Sequence, residues 1–154
     1  MAKSTGLTRE ELTALIHAGK VDTVVMAFPD LFGRLVGKRT TARFFLEHVA
    51  DHGTENCDYL IACDIENNPV PGFRFASYDQ GYGDMVARAD WSAVRIVPWV
   101  YGTALIICDV FDVETGAFVA RSKTGGRISN PPVVVGDLVV FQDDEGRVTA
   151  LRPR

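Results

Sequence analysis

The chain has 154 residues, a net charge of −4 and 47% hydrophobic residues, which fits one domain, or a domain of about 110–120 residues with an appendage. This charge leaves no overall basic footprint for nucleic acid. The sequence has no apolar run long enough to span a membrane, and its N-terminus lacks the apolar core of a signal peptide. Three cysteines without a CxxC pair predict free thiols and a cytoplasmic location.

The first half of the chain predicts two helices around a hairpin. Thr8 and Glu11 have the spacing of a capping box, and Gly19 ends the helix that follows. A strand at 21–28 and the returning strand "RLVGKRT" enclose the turn "PDLFGR". The segment "TARFFLEHVADHG" predicts a second helix, and three of its residues are expected to face the core: Phe45, Leu46 and Val49.

The second half predicts strands separated by one long loop. The segment 56–64 alternates as a strand would, with one face formed by Cys57, Tyr59, Ile61 and Cys63. A loop at 65–83 follows, and further strands are predicted at 93–99 and 103–112. The pattern indicates an α+β fold, a β-grasp-like mixed sheet with one or two helices. The turns "GD" and "DDEG" predict a C-terminal β-hairpin at 131–154.

Two motifs suggest ligand sites, and each has a structural alternative. The segment "GRLVGKRT" has only three residues between Gly33 and Gly37, whereas a phosphate loop needs four, so a basic strand edge is the favoured interpretation. A second candidate is a zinc site formed by two histidines and two cysteines, His48, His52, Cys57 and Cys63. Its alternative is that both cysteines pack in the core.

The long loop carries acidic and aromatic residues. Four carboxylates lie on it or beside it: Asp64, Glu66, Asp79 and Asp84. Carboxylates at strand ends can hold a cation or accept a proton, but acidic loop residues are also commonly just solvated. Phe73 and Phe75 could be core anchors or the wall of a ligand site, and the pattern does not separate these roles.

Taken together, residues 21–116 resemble the amino-terminal β-grasp domain of the glutamine synthetase family, in the branch of γ-glutamyl-polyamine or amine ligases. The resemblance is carried, in the family's order and spacing, by "VDTVVMAFPDLFGRLVGKR", "FFLEHVADHGTENCDYLIACDIENNPVPGF" and "YDQGYGDMVARADWSAVRIVPWVYGTALIICDVFD". Family members use ATP to phosphorylate the γ-carboxylate of glutamate, and ammonia or an amine then attacks the acyl phosphate.

The resemblance also implies roles for residues of this chain. In the family, a larger carboxy-terminal domain holds ATP, glutamate and two divalent metals, Mg²⁺ or Mn²⁺. The β-grasp domain lends a loop to the neighbouring subunit's active site. Asp64 is therefore expected to bind the ammonium group and accept its proton in trans, and Phe73 to contact substrate. No cofactor is expected on this chain itself. Asp84 matches a family aspartate whose role we leave open.

The sequence departs from the family in two places. The loop reads Asp-Ile-Glu-Asn where housekeeping enzymes have Asp-Gly-Ser-Ser, and it is longer, which leaves room for an amine larger than ammonia. After "DVFDVETGAFVA" the catalytic domain is expected, but residues 118–130 suggest a linker instead. Residues 126–152 resemble one quinoprotein-type β-propeller repeat, and a single repeat cannot close a propeller.

These observations predict an N-terminal helix at 1–20, a glutamine synthetase-like domain at 21–117, a linker at 118–130 and a tail at 131–154. The expected function is that of a truncated ligase-family protein, inactive alone. It would assemble with itself or with a full-length subunit, and would bind neither nucleic acid nor membrane. Two alternatives stay open: a non-enzymatic protein-interaction module, and a fusion fragment without a selected function.

Overall fold

The computed structural model describes residues 6–73, 75–76, 81–113, 116, 133–135 and 138–151. Helix α1 spans Arg9–His17, and the short helix α2, Ala42–Phe44, continues as a π-helical turn, Phe45–Val49. A 3₁₀ helix spans Asp58–Ile61. The strands are β1 Thr23–Pro29, β2 Leu35–Thr41, β3 Thr54–Cys57, β4 Asp84–Ile96, β5 Thr103–Asp112, β6 Val133–Val135, β7 Leu138–Gln142 and β8 Val148–Leu151.

Helix α1 begins with the predicted capping box. The Thr8 hydroxyl accepts a hydrogen bond from the Glu11 amide at 3.2 Å, and the Thr8 amide donates to the Glu11 carboxylate at 2.8 Å. This exchange satisfies two of the donors that every helix N-terminus leaves unpaired. Leu12 on the inner face of the helix is fully buried.

The main sheet has five strands in the order β2-β1-β5-β4-β3. β1 and β5 run parallel, and the other neighbouring pairs are antiparallel. The α+β, β-grasp-like mixed sheet is confirmed. β2 forms one edge, with Lys38 and Arg39 exposed, which is the basic strand edge that was favoured over a phosphate loop.

One hydrophobic cluster joins the sheet to both helical segments. Phe45 and Val49, which were predicted to face the core, are 0% and 3% exposed, and Leu46 packs against the cluster's side. The largest fully buried side chains are Phe28, Phe45, Leu12, Met26, Met85, Ile106, Val24, Val94 and Cys63.

The strand predicted at 56–64 is wrong beyond Cys57. Cys57 pairs with Asp84, the first residue of β4, so no partner strand continues past that point. The Asp58 amide donates to the Gly83 carbonyl at 3.0 Å, and the chain then coils into the 3₁₀ helix. The alternation seen in the sequence therefore has no ladder to support it.

The strand predicted at 93–99 is instead part of a longer strand, Asp84–Ile96. The register of β4 against β5 shifts between Ala89 and Val94, which is a β-bulge or similar irregularity. A bulge interrupts the two-residue alternation of side chains. The alternation of buried residues is regular before the bulge, at Met85 and Ala87, and it is interrupted between Ala89 and Val94.

The described part of the tail forms a separate antiparallel sheet in the order β6-β7-β8. The predicted hairpin is confirmed as β7–β8, and β6 adds a third strand. The Asp143 carboxylate closes the hairpin turn by accepting from the amides of Glu145 and Arg147. The predicted linker at 118–130 and the "GD" turn lie outside the described residues, so the resemblance to a propeller repeat stays a prediction.

Within the described ranges, no helix is long and apolar enough to cross a membrane.

Candidate functional site

Asp64 lies at the start of a tight loop, residues 62–70, which we call the Asp64 loop. Its two arms are joined by backbone hydrogen bonds from Val70 to Ala62 and from Asp64 to Asn68, both at 2.8 Å. Cys63 and Pro69 form an isolated antiparallel bridge. The beginning of the long loop predicted at 65–83 is therefore an ordered turn.

The Asp64 carboxylate holds the tip of this loop. Its Oδ1 accepts from the amides of Glu66 and Asn68 at 2.9 and 2.8 Å. Its Oδ2 accepts from the Asn68 side-chain amide at 3.3 Å. This pattern is an Asx turn, in which an aspartate side chain caps amides two to four residues further on. Oδ2 has the weaker partner and is the oxygen with more capacity to accept another donor.

These contacts also set the charge of the site. The hydrogen bond from the Asn68 amide is the main reason that the pKa of Asp64 lies below its ordinary value, and the Arg34 guanidinium adds a smaller effect. Hydrogen bonds to the charged form favour that form. The Asp64 carboxylate is thus accessible to solvent and stays anionic near neutral pH, which suits it to bind a cation and makes it a weak base.

The Asp64 loop is tied to the β1–β2 turn by Arg34. The Arg34 guanidinium donates to the Ile65 carbonyl at 2.6 Å, to the Asp64 carbonyl at 3.1 Å and to the Asn67 side-chain oxygen at 3.2 Å. Its Nε donates to the Asp30 carboxylate at 2.6 Å. The sequence gives no sign of this link, because Arg34 and the loop are about thirty residues apart.

The second predicted site residue, Phe73, is half-buried. Its ring packs edge-on against Phe75, with 5.4 Å between the ring centroids. Asp64 contacts residues 66–68 and its loop contacts Arg34, so the two predicted site residues have separate sets of partners. Whether Phe73 contacts a substrate remains a prediction.

The other acidic candidates are dispersed. Glu66 uses its backbone amide in the Asp64 turn, and its side chain is exposed. Asp84 is exposed at the start of β4, and Asp79 lies outside the described residues. A buried carboxylate that the sequence did not single out, Asp58, accepts from the Gly83 amide at 3.1 Å, and burial raises its pKa.

Two residues of the zinc-site candidate make other contacts. His48 packs against Phe44 with ring centroids 4.9 Å apart, and the Cys63 thiol donates to the Tyr59 carbonyl. In the described part of the chain, no three His, Cys, Asp or Glu side chains are grouped so as to hold a metal ion. The described residues do not provide the set of ligands that Mg²⁺ or Mn²⁺ needs, and no metal-dependent step is assigned to them.

Two curated ligases share sequence similarity with this chain. The chain is 54% identical over 101 residues to the γ-glutamylethanolamide synthetase GlnA4 of Streptomyces coelicolor, covering 66% of this chain and 22% of that protein. It is 33% identical over 95 residues to a glutamate–isopropylamine ligase of a Pseudomonas species, covering 62% of this chain and 21% of the relative. The resemblance to the glutamine synthetase family is confirmed.

The similarity between this glutamine synthetase-like chain and its relatives must include the candidate site. Any continuous stretch of 101 residues in a chain of 154 contains residues 54–101. Asp64 and Phe73 both lie in that range. The matching region spans about a fifth of the length of the curated relatives.

No family model matches the glutamine synthetase-like chain. Two solved structures of GmaS, without ligand and with ADP, are 18% and 19% identical to it and have TM-scores of 0.49 and 0.48. These matches cover 67% and 66% of this chain and 21% and 20% of the solved chains.

Proposed function

We propose that this chain supplies the amine-binding loop of an ATP-dependent glutamate–amine ligase, with Asp64 as the group that binds the ammonium form of the amine. The 54% identity to a γ-glutamylethanolamide synthetase over a region that includes Asp64 carries this proposal. The geometry supports it, because the carboxylate is anionic, held in a fixed turn and reachable from solvent.

Binding the cation is the primary role that we assign to Asp64. An amine must lose its proton before it can attack an acyl phosphate, and a carboxylate can accept that proton. The lowered pKa of Asp64 works against proton acceptance by this chain alone. Covering the loop with a second subunit would remove water from the carboxylate and raise the pKa. Proton acceptance therefore belongs to the assembled site.

We propose a small primary alkylamine as the substrate, rather than ammonia. The names of both curated relatives point to such amines, ethanolamine and isopropylamine. The loop sequence Asp-Ile-Glu-Asn departs from the family's Asp-Gly-Ser-Ser. Phe73 is the residue that we assign to the alkyl part of the substrate, because it is aromatic and half-buried on the same long loop.

We further propose that the site is completed in trans, by a subunit that carries the ATP, glutamate and metal sites of the family. A cytoplasmic setting accords with three cysteines that are all free thiols.

Because the site is completed by a second subunit, the pure chain is expected to release no phosphate from ATP in the presence of glutamate and ethylamine. Clear turnover by the pure chain would contradict this proposal.

A second candidate function is that of a protein-interaction module. The β4–β5 turn favours it, because Trp99 and Tyr101 are 80% and 94% exposed there, and aromatic residues are enriched in protein interfaces. Size-exclusion chromatography with light scattering, with and without the full-length Streptomyces relative, separates the two functions. Co-assembly with the relative favours the ligase proposal, and a discrete complex with an unrelated protein favours the module.

A further inference from the structure

We propose that Arg34 is a positioning residue for the Asp64 carboxylate. Through Arg34, the β1–β2 turn would fix the position of this amine-binding group. This inference rests on the proposed function of Asp64. Arg34 donates to backbone carbonyls of the Asp64 loop and to the Asn67 side chain, and in the described structure it makes no hydrogen bond to the Asp64 carboxylate. Arg34 would therefore act on the amine through Asp64 and not by direct contact.

We call Arg34, with its contacts to Asp30 and to the Asp64 loop, the clamp. The clamp is anchored by the buried, charged side chain of Asp30. The Asp30 side chain is 1% exposed, and its Oδ2 receives the Arg34 Nε at 2.6 Å. Its Oδ1 accepts from the backbone amides of Phe32 and Arg34 at 2.9 and 2.8 Å. A buried carboxylate that is paired and fully hydrogen-bonded is held in one position. Arg34 therefore leaves the turn in a fixed direction.

The other end of the guanidinium reaches the loop with three contacts. Nη1 and Nη2 donate to the carbonyls of Ile65 and Asp64, and Nη2 also donates to the Asn67 side chain. Arginine presents donors in a rigid planar fork, whereas lysine has a single ammonium at the end of a flexible stem. Only arginine can hold Asp30 and these three oxygens together in this way.

The location of these contacts argues for positioning rather than for support of the core. Ile65 and Asn67 are exposed, and Asn67 has a positive φ of 66° at the tip of the loop. The hydrophobic cluster does not include these residues. Loss of the three contacts would release a surface loop and its carboxylate while leaving the buried cluster intact.

The test compares Arg34→Gln and Arg34→Lys with the wild-type chain by NMR. Amide hydrogen exchange at Asn68 reports the loop, and a carbon-detected pH titration reports the pKa of the Asp64 carboxyl. Arg34→Gln is expected to speed exchange at Asn68 by roughly five- to tenfold and to raise the pKa of Asp64. Arg34→Lys is expected to keep the pKa close to the wild-type value but not the amide protection. If Arg34 only supported the fold, each variant would change amide exchange at Asn68 and the pKa of Asp64 together.

Arg43→Gln is the matched control. Arg43 pairs through Nε with Glu47, four residues away at 2.9 Å, as Arg34 pairs with Asp30, but it is exposed, and among the described residues its hydrogen bond is to Glu47 and not to the Asp64 loop. Both readouts should keep their wild-type values in this variant. Unchanged exchange at Asn68 in Arg34→Gln, or an equal change in Arg43→Gln, would overturn the proposal.

Asn67→Gly covers the case in which loss of Arg34 unfolds the turn around Asp30. Glycine accepts the positive φ of this position, the Asp30–Arg34 pair is retained, and only the side-chain acceptor is lost. Exchange at Asn68 is then expected to rise, by less than in Arg34→Gln. Unchanged exchange would count against the clamp.

Titration with methylammonium chloride separates this inference from the proposed function. In one outcome, methylammonium does not change the chemical shifts of Asp64 in the assembled ligase, but the Arg34 variants speed amide exchange at Asn68. The cation-binding role of Asp64 then fails, and the positioning role of Arg34 is retained. If methylammonium binds equally well to wild type and Arg34→Gln, the positioning role fails and the binding role stands.

Discussion

Asp64 uses one carboxylate for two tasks, since it caps its own loop and carries the charge assigned to the amine. Asp64→Asn separates them. Asparagine keeps an oxygen that can accept from the amides of Glu66 and Asn68, and Asn68 can rotate its side-chain amide to avoid a clash of donors. We expect only a small fall in the thermal midpoint, because the charged form of Asp64 accepts these hydrogen bonds more strongly, and a loss of amine-ligase activity in the assembled enzyme of at least about 100-fold.

Asp64→Ala is the matched variant for this test, because it removes both the cap and the charge. It should lower the thermal midpoint, measured by circular dichroism, as well as the activity. A midpoint that falls equally in both variants would mean that the charge of Asp64 is structural, and that the separation of tasks is wrong.

Asp58 gives the domain a pH dependence of predictable sign. Its side chain is buried, one oxygen has no partner in the described structure, and burial raises its pKa. The folded protein therefore binds this proton more tightly than the unfolded chain does, so the free energy of unfolding falls as pH rises from the unfolded pKa to the folded pKa. The contribution of Asp58 is the difference between wild type and Asp58→Asn in urea unfolding from pH 3 to pH 7, and the stability of wild type relative to the variant should fall as pH rises. An unchanged slope in Asp58→Asn would contradict the assignment.

In the helical segment after β2, two adjacent phenylalanines should differ in how much they stabilise the fold. Phe45 is fully buried and packs edge-on against Trp91, with 6.1 Å between ring centroids, whereas Phe44 is 50% exposed. Phe45→Ala should reduce the free energy of unfolding by about 3–5 kcal/mol. Phe44→Ala should reduce it by less than about 1 kcal/mol. Equal losses in denaturant unfolding would mean that the segment has a different register.

The two glycines of the β1–β2 hairpin should differ in the same way. A Cβ on Gly37 would lie 2.1 Å from the Met26 carbonyl oxygen, at a φ of +151°, whereas a Cβ on Gly33 would meet nothing within 4 Å. Gly37→Ala is expected to cost roughly 2 kcal/mol or more, because backbone atoms must move. Gly33→Ala should cost about 1 kcal/mol, from its positive φ alone. The reverse order in chemical unfolding would contradict the hairpin register.

Local signals in the sequence were sufficient for elements that depend on local chemistry. The Thr8–Glu11 box, the hairpin turn and the core face of the second helix all follow from residues within one or two turns. The end of β3 at Cys57 and the bulge in β4 could not be predicted in this way, because both depend on which strand lies alongside. The same holds for the site: Asp64 followed from the family resemblance, and its link to Arg34 required the fold.

At the scale of the molecule, the described residues form two separate sheets. The five-stranded sheet carries the region similar to amine ligases, and the tail forms a second sheet whose strands lie between 133 and 151. If the tail is dispensable for assembly, deletion of residues 118–154 should leave the thermal midpoint of the first domain and its co-assembly with a full-length ligase unchanged. Loss of either, seen by calorimetry or light scattering, would show that the tail supports the domain.

Complementation is the most direct test of the central claim that Asp64 serves a ligase site in trans. The full-length Streptomyces relative would be inactivated by substitution of its own residue aligned with Asp64, and phosphate release with ATP, glutamate and ethanolamine would be measured after mixing with this chain. We predict that the wild-type chain restores activity and that Asp64→Asn does not. Failure of the wild-type chain to restore activity despite co-assembly, or equal rescue by Asp64→Asn, would contradict the account.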